Sequence, residues 1–182
     1  MQFIGIDPDV SCLTIATVDR DGLLMQMQAF KSKQTGIMAI KDIIQQVALT
    51  VKVPSDVRAI AIEGQEIVYT ALHGYNPRSL LPLAHMAGAM HGVCASACPA
   101  TPIFIPPPAK WKGQVPKDIH QARILKRLGV KYRKMGGKSP YCVPECADRF
   151  DLNPGDWKHA MDSWGLAVWA REQYKKDHQY EF

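Results

Sequence analysis

Near its start the sequence contains Phe3-Ile4-Gly5-Ile6-Asp7-Pro8, a short apolar run that ends in an acid and a proline. A run of this kind, bounded by turn residues, predicts a buried β-strand. A second apolar run extends from Leu13 to Val18, and a third extends from Leu23 to Phe30 after the turn residues Asp19-Arg20-Asp21-Gly22. Two strands joined by a short glycine-containing link form a hairpin. The N-terminal region is therefore predicted to be an antiparallel meander of three strands.

Helices and strands alternate after this meander. Apolar residues between Gly36 and Val51 recur at steps of three and four, which predicts one helix with an apolar face. The further predicted elements are a strand from Val57 to Ile62, a helix from Leu80 to Ala97, a strand from Pro102 to Ile105, a helix from Pro116 to about Leu128, a long loop over 129 to 155, and a last helix capped by Asp156 and ending near Lys176. This order predicts an α/β fold in which helices flank a mixed five-stranded sheet.

Length and composition limit the class of protein. The 182 residues are 47% hydrophobic and 21% charged, which fits one globular domain rather than a disordered or coiled-coil chain. No apolar run approaches the ~18–20 residues of a membrane span, and the first residues lack the pattern of a signal peptide. We therefore expect a soluble, cytoplasmic protein.

The five cysteines are interpreted as reduced thiols, because an odd number in such a chain argues against a disulfide framework. Two Cys-x₃-Cys pairs, Cys94 with Cys98 and Cys142 with Cys146, leave a zinc site open as an alternative. This spacing is less typical of zinc than Cys-x₂-Cys. The apolar surroundings of Cys94 and Cys98 favour a place in the core.

The net charge of +5 is unevenly distributed along the chain. Residues 109 to 150 contain 11 basic and 3 acidic side chains, a net charge of +8, whereas the segments before and after are slightly acidic. Such a block indicates a polyanionic partner, nucleic acid before membrane, with a solvated basic face as the alternative. Within this segment we predict that Lys134 and Lys138 contact DNA.

Three acids occupy positions that are unfavourable for acids unless they serve a site. Asp7 and Glu63 end buried strands, and Asp162 lies among apolar residues of the last helix, on the same face as His159. Carboxyl ends of strands are where α/β sheets bind ligands, so these groups could meet there. Several carboxylates together require a cation such as Mg²⁺ or Mn²⁺. Each acid also has an ordinary explanation, a turn at Asp7, a strand end at Glu63, and a Lys158 pair at Asp162.

Three stretches resemble the acidic motifs of RuvC-like Holliday junction resolvases, a family in the ribonuclease H-like nuclease superfamily. They are Phe3-Ile4-Gly5-Ile6-Asp7-Pro8, Ala59-Ile60-Ala61-Ile62-Glu63 and His159-Ala160-Met161-Asp162-Ser163. The resemblance extends over almost the whole chain, although sugar kinases and actin-like ATPases share the first motif. It implies an RNase H-like fold and a homodimeric, magnesium-dependent endonuclease that cuts four-way DNA junctions in recombination and repair. The small size is similar to that of phage-type resolvases.

The resemblance also implies roles for individual residues. Asp7 would bridge two Mg²⁺ ions, which Mn²⁺ can replace, and Glu63, Asp162 and His159 would be further ligands. His159 is alternatively a proton-transfer group near the attacking water. Lys117 would act in catalysis by stabilising developing charge, and both Lys112 and Lys117 would contact phosphate.

Aromatic residues complete the implied DNA-binding set. Tyr69 would stack on a base at the junction centre, with Tyr75 as the alternative and core packing open for both. Trp111 is predicted to face DNA. The small-residue helix from Leu80 to Ala97 is the candidate dimer interface, with internal packing of that face as the alternative. Asp9 stands where the family usually has glycine, and Glu66 is interpreted as a solvated loop residue.

Two other functions are compatible with the same residues. A ribonuclease H-like nuclease acting on RNA–DNA hybrids, or on flap or fork DNA, would share every acid. A non-catalytic junction-binding protein would share the fold without needing the metal. Cleavage of a substrate panel separates the three.

Overall fold

The computed structural model describes residues 1–64 and 77–178, with the side chains of 77–79 left aside. The strands and helices of this part follow in chain order. They are β1 (Gln2–Asp7), β2 (Leu13–Val18), β3 (Leu24–Phe30), α1 (Gly36–Thr50), β4 (Val57–Ile62), α2 (Pro77–Ala97), β5 (Ile103–Phe104), α3 (Pro108–Trp111), α4 (Lys117–Arg127), β6 (Tyr132–Met135), β7 (Tyr141–Pro144) and α5 (Trp157–Asp177).

The main sheet has five strands in the order β3-β2-β1-β4-β5. The β1–β2 and β2–β3 pairs are antiparallel, whereas β1–β4 and β4–β5 are parallel. The predicted meander, the mixed five-stranded sheet and the flanking helices are therefore confirmed. Because β1 and β4 are parallel neighbours, their carboxyl ends lie at the same edge of the sheet.

The alternation of side chains along β1 and β4 determines what lies on each face of the sheet. Phe3 and Ala59 belong to a core cluster with α4, α5 and β7, whereas Ile4 and Ile60 belong to a second cluster with α1 and α2. With a period of two, Asp7 follows Phe3 and Gly5 onto the α5 face, and Glu63 follows Ala59 and Ala61. Sequence periodicity thus directs both acids toward the last helix.

Helix α5 packs closely on β1 because Gly5 has no side chain. A Cβ at Gly5 would overlap the carbonyl oxygen of Ser163 and the backbone nitrogen of Ala167. Near the other end of the strand, Trp164 Nε1 donates a hydrogen bond of 3.0 Å to the carbonyl oxygen of Gly22 in the β2–β3 turn. These two contacts fix the rotation of α5 about its own axis. That rotation determines the direction in which Asp162 points.

Helices α1 and α2 cover the opposite face with an aliphatic layer. Ile43 and Val47 of α1 meet Met86 and Met90 of α2 above β1 and β4. Among the described residues, no helix is long and apolar enough to cross a membrane.

One prediction about the C-terminal region is wrong, and a second is confirmed for the position of a residue but not for its contact. The segment predicted as a long loop contains the β6–β7 hairpin, in which Lys134 is opposite Cys142, and a short 3-10 helix from Glu145 to Arg149. Asp156 precedes α5 as predicted but makes no capping hydrogen bond with its side chain. Its carboxylate is instead 2.6 Å from Lys31 Nζ, because an ammonium in the folded chain competes with the helix for the same oxygens.

Candidate active site

The carboxyl ends of β1 and β4 bring two acids together. Asp7 is the last residue of β1, and Glu63 follows the last residue of β4. The Glu63 backbone N–H donates a hydrogen bond of 3.0 Å to the Ile6 carbonyl oxygen, which continues the parallel ladder to this point. Both side chains are buried. The predicted meeting of these acids at one sheet edge thus has a backbone cause.

Helix α5 begins above the same edge and contributes His159 and Asp162. His159 Nδ1 lies 3.2 Å from Asp7 Oδ2. Asp162 is buried, and Lys158 is not among its ion-pair partners in the described part of the chain. The two α5 side chains are three residues apart, so they share the helix face that is turned toward the strand ends.

Two lysines from the basic segment reach into this cluster. Lys117 Nζ lies 2.7 Å from Asp162 Oδ2. Lys112 Nζ lies 3.5 Å from Glu63 Oε2 and 3.7 Å from Asp162 Oδ2, so one ammonium group is shared by two acids. The Pro106-Pro107-Pro108 stretch and α3 carry Lys112 to this place, and Pro116 begins the turn into α4 beside Lys117.

Burial makes the ionised state of these acids costly. Burial raises the pKa of Glu63 to about 7, and the negative charges of Asp7 and Asp162 add to the effect while Lys112 opposes it. Burial also raises the pKa of Asp7, against the hydrogen bond with His159 and with the help of the Asp162 charge. A bound cation would therefore stabilise the ionised form of these acids at neutral pH.

Gln121, which the sequence analysis did not identify, orients Asp162 from α4. Its side chain is fully buried, and its Nε2 donates hydrogen bonds to Asp162 Oδ1 at 3.0 Å and to the Lys158 carbonyl oxygen at 3.3 Å. Its Oε1 accepts a hydrogen bond of 2.9 Å from the Cys142 backbone N–H in β7. The sequence carries no signal for this residue, because a glutamine on a polar helix is ordinary until the fold buries it. One amide thus connects α4, α5 and the β6–β7 hairpin to the candidate site.

The donor set suits a hard divalent cation in its chemistry. Carboxylate oxygens with one imidazole match the ligands of Mg²⁺ or Mn²⁺ sites. Among residues 1–64 and 77–178, however, no three His, Cys, Asp or Glu side chains are gathered closely enough to hold a metal ion. The ammonium groups of Lys112 and Lys117 lie among these carboxylates instead. A metal ion would have to replace part of this contact.

The remaining predicted residues have different surroundings. Tyr69, Tyr75 and Glu66 lie outside the described residues. Lys138 is exposed, and Lys134 Nζ is 2.8 Å from Asp118 Oδ2. Asp9 accepts hydrogen bonds from the backbone N–H and the hydroxyl of Ser11, and these lower its pKa although burial opposes them.

Trp111, which is predicted to face DNA, is largely buried, and its role in DNA binding stays a prediction. The Trp111 side chain is only 7% exposed and belongs to the core cluster beneath α5. Its ring packs against the bare backbone of Gly165, where a Cβ would lie 2.8 Å from Trp111 Cζ3. The indole is buried because α5 presents a glycine at the place where α3 approaches it.

The cysteines do not form the zinc site considered above. All five lie among the described residues and are free thiols. Cys94 packs in the cluster on the α1–α2 face, whereas Cys142 packs in the cluster on the α5 face. Since the sheet separates the two pairs, they cannot bind one ion together.

Two solved structures superpose on this fold over almost the whole chain. One structure of T. thermophilus RuvC, in complex with Holliday junction substrate, superposes with a TM-score of 0.62 at 17% sequence identity, covering 97% of this chain and 96% of that chain. A second Thermus thermophilus RuvC structure gives a TM-score of 0.60 at 15% identity, covering 98% of this chain and 97% of that chain. The chain has the RuvC fold. No protein-family model matches the sequence, and no curated protein matches it.

Proposed function

We propose that this protein is a metal-dependent endonuclease that cuts four-way DNA junctions by hydrolysis of phosphodiester bonds. The observation that carries the proposal is the convergence of Asp7, Glu63, Asp162 and His159 at one sheet edge, beside Lys112 and Lys117. The RuvC fold supports the choice of substrate, since a solved RuvC with this fold is in complex with a Holliday junction.

The three carboxylates and His159 would hold Mg²⁺, with Mn²⁺ as a substitute. When two such ions are bound, they supply an activated water and stabilise the attacking and leaving oxygens of an in-line displacement. The raised pKa values of Asp7 and Glu63 support this assignment, because a divalent cation relieves the repulsion and the desolvation that raise them.

The chain's own side chains bind and orient the substrate. Lys112 and Lys117 would exchange their present contacts with Glu63 and Asp162 for the non-bridging oxygens of the scissile phosphate. His159 would keep Asp7 oriented through its Nδ1 contact, and its remaining ring nitrogen would either bind the metal or accept a proton from the attacking water. Gln121 would hold Asp162 in place while Lys117 moves from acid to phosphate.

The proposal includes a homodimer, because two symmetric cuts at a four-way junction require two sites related by a two-fold axis. An exposed small-residue face on α2 supports the assignment of this helix to the interface. Gly88 and Gly92 are one turn apart, and a Cβ at either would meet nothing within 4 Å. Sedimentation equilibrium of the wild type and of Gly88→Leu tests this interface. We expect a dimer in the wild type and a monomer in the variant. A wild type that is already monomeric would contradict the proposed homodimer.

A cleavage assay on a substrate panel tests the function. Purified protein is incubated with a labelled four-way junction, a Y-fork, duplex DNA and an RNA–DNA hybrid, with Mg²⁺ or with EDTA, beside Asp7→Asn. Paired symmetric nicks on the junction, lost in EDTA and in the variant, are expected. Cutting confined to the hybrid or the fork would change the substrate, and tight junction binding without cutting would replace the enzyme by a binding protein.

A further inference from the structure

A groove between α4 and α5 lies on the α5 face of the sheet, beyond the candidate active site. It has a volume of about 460 Å³. Its basic and aromatic lining consists of Trp111, Arg123, Arg127, Trp169 and Lys176, and we call this feature the α4–α5 groove. Neither the acids of the site nor the predicted DNA contacts other than Trp111 belong to it.

In the described part of the chain, the cations of this groove form no ion pair. No salt bridge within 4.0 Å involves Arg123, Arg127 or Lys176 in the part of the chain that the structure describes. The acid of the lining, Glu172, has its Oε1 2.6 Å from Arg171 Nη1. Three positive charges therefore face one groove without internal compensation, which is the electrostatic pattern of a polyanion site.

The groove adjoins the candidate active site through Trp111 and Lys112. Trp111 forms part of its wall, and Lys112, the next residue, has its Nζ 5.0 Å from the Trp111 ring centroid and 3.5 Å from Glu63 Oε2. From Gly165 the α5 lining continues through Trp169 to Lys176, eleven residues on, which at 1.5 Å per residue is about 16 Å. Phosphates of one DNA strand advance by about 3.4 Å each, so this length spans several of them.

The base of the groove is closely packed and uncharged. A Cβ at Gly165 would lie 2.8 Å from both Ile124 Cδ1 and Trp111 Cζ3, so α3, α4 and α5 are in close contact there. His120 meets the Trp111 ring edge-on, with centroids 5.0 Å apart. Burial lowers the pKa of His120 to about 4, so this side chain is neutral at pH 7. The charges that a ligand meets are those of the two arginines and Lys176, together with that of Glu172, which is paired with Arg171.

We propose that the α4–α5 groove binds the phosphodiester backbone of the DNA arm that leads away from the cut. The inference rests on the proposed function and adds to it the path of the strand beyond the scissile phosphate. Arg123 and Arg127 hold phosphates through guanidinium hydrogen bonds, and Lys176 adds a point charge at the far end. These contacts position the arm and leave the chemistry to the acids.

Salt-dependent binding tests the proposal. The triple variant Arg123→Gln, Arg127→Gln, Lys176→Gln is compared with the wild type and with a matched control, Lys41→Gln, Lys52→Gln, Arg58→Gln, whose exposed cations lie on α1 and beside β4. The slope of log K against log salt for a four-way junction is expected to become shallower by about 2–3 in the groove variant, since each phosphate contact contributes about 0.9. The control and the charge-retaining variant Arg123→Lys, Arg127→Lys keep the wild-type slope.

Ethylation interference places the contacts on the DNA. In the wild type, ethylation of phosphates several nucleotides from the cut weakens binding, and in the groove variant this interference disappears while that at the cut remains. If the groove variant kept the salt slope and the interference pattern of the wild type, the inference about the groove would be wrong. The proposed function would stand, since the wild type would still bind and cut the junction. A wild type that neither binds nor cuts any DNA overturns the proposed function and the groove assignment with it.

Discussion

His159 Nδ1 lies 3.2 Å from Asp7 Oδ2, and this contact joins the first turns of α5 to the end of β1 across 152 positions of sequence. Both side chains are largely buried, so the hydrogen bond is little weakened by competition with water. The pair explains how an acid at the end of a strand is held in one orientation. It also determines which substitutions at the site are informative.

Asp7→Asn should abolish junction cleavage while leaving junction binding within about twofold of wild type. The amide keeps the shape of the side chain but removes the charge that a divalent cation needs. The loss of several kcal/mol of transition-state stabilisation corresponds to a rate about 10³-fold lower or more. Cleavage at saturating protein and a gel-shift titration measure the two effects, and retention of cleavage would refute the metal assignment.

Gln121→Leu tests whether the buried amide positions Asp162. Leucine fills a similar volume but leaves Asp162 Oδ1 and the Cys142 N–H without their partner, which should lower the free energy of unfolding by about 1–3 kcal/mol. Loss of an orienting partner to a metal ligand typically costs about 10–100-fold in metal affinity or activity. The Mg²⁺ concentration for half-maximal cleavage should therefore rise.

The exposed Gln45→Leu on α1 is the control for this variant. It should change neither quantity. A purely structural role for Gln121 would lower stability while leaving the Mg²⁺ dependence unchanged, and that result would remove the positioning role.

Lys117→Ala should slow cleavage more than it weakens binding. In the structure its ammonium group contacts Asp162 at 2.7 Å, which under the proposed function places it beside the reacting phosphate. A loss of about 10²-fold in single-turnover rate is expected, with less than about fivefold in junction Kd. Lys110→Ala, an exposed lysine seven residues earlier, should affect neither. Equal losses in rate and affinity at Lys117 would make it an ordinary phosphate contact.

The sequence was sufficient for the fold wherever burial determined the pattern. The bounds of β2 and β4 agree with the predicted runs, because every buried strand residue must be apolar or small. The β6–β7 hairpin was missed because Tyr132-Arg133-Lys134-Met135 is mostly exposed and has no alternation to detect. A strand that needs only one partner and little burial leaves a weak sequence signal.

Part of the candidate site could be predicted from the sequence, again because burial determines the pattern around it. Acids at the ends of buried strands are conspicuous, so Asp7 and Glu63 could be selected from the sequence. Gln121 could not, because an uncharged amide on a polar helix is ordinary until the fold buries it. Asp156 was assigned to a helix cap by local rules, and a distant lysine, Lys31, determines its contact instead.

Stability of the metal-free protein should fall as the pH rises from about 4.5 toward 7. The pKa of Glu63 is raised from 4.5 to about 7 in the folded state, so the folded chain binds more protons than the unfolded chain in this window. Ionising Glu63 then costs on the order of 2 kcal/mol in folding free energy, an effect to which the raised pKa of Asp7 adds. Urea unfolding in EDTA at pH 5 and pH 7.5 measures the decrease.

Glu63→Gln isolates this contribution because it cannot ionise. Its decrease between pH 5 and pH 7.5 should be smaller than that of the wild type. Mg²⁺ should restore much of the wild-type loss at pH 7.5 and little in the variant. If the stability of the wild type rose with pH over this range, Lys112 and Lys117 would already neutralise the negative charge of the acids. The conclusion that the acids need a divalent cation would then be wrong.

Gly5→Ala tests the close approach that sets the geometry of the whole site. The added methyl group would overlap Ser163 and Ala167 backbone atoms, neither of which can rotate away. Because α5 carries both His159 and Asp162, the helix must move away from β1, and both contacts at the strand end should lengthen. We expect a loss of about 3 kcal/mol or more in the free energy of unfolding. Cleavage should be lost at temperatures where the variant remains folded.

Gly155→Ala, in the turn before α5, is the matched control, since its Cβ would meet nothing within 4 Å and its φ is not positive. This variant should be as stable as the wild type or more so. If Gly5→Ala proved equally well tolerated, α5 would have to lie farther from β1 than the packing described here. The contact between His159 and Asp7 could then not hold the acid in place.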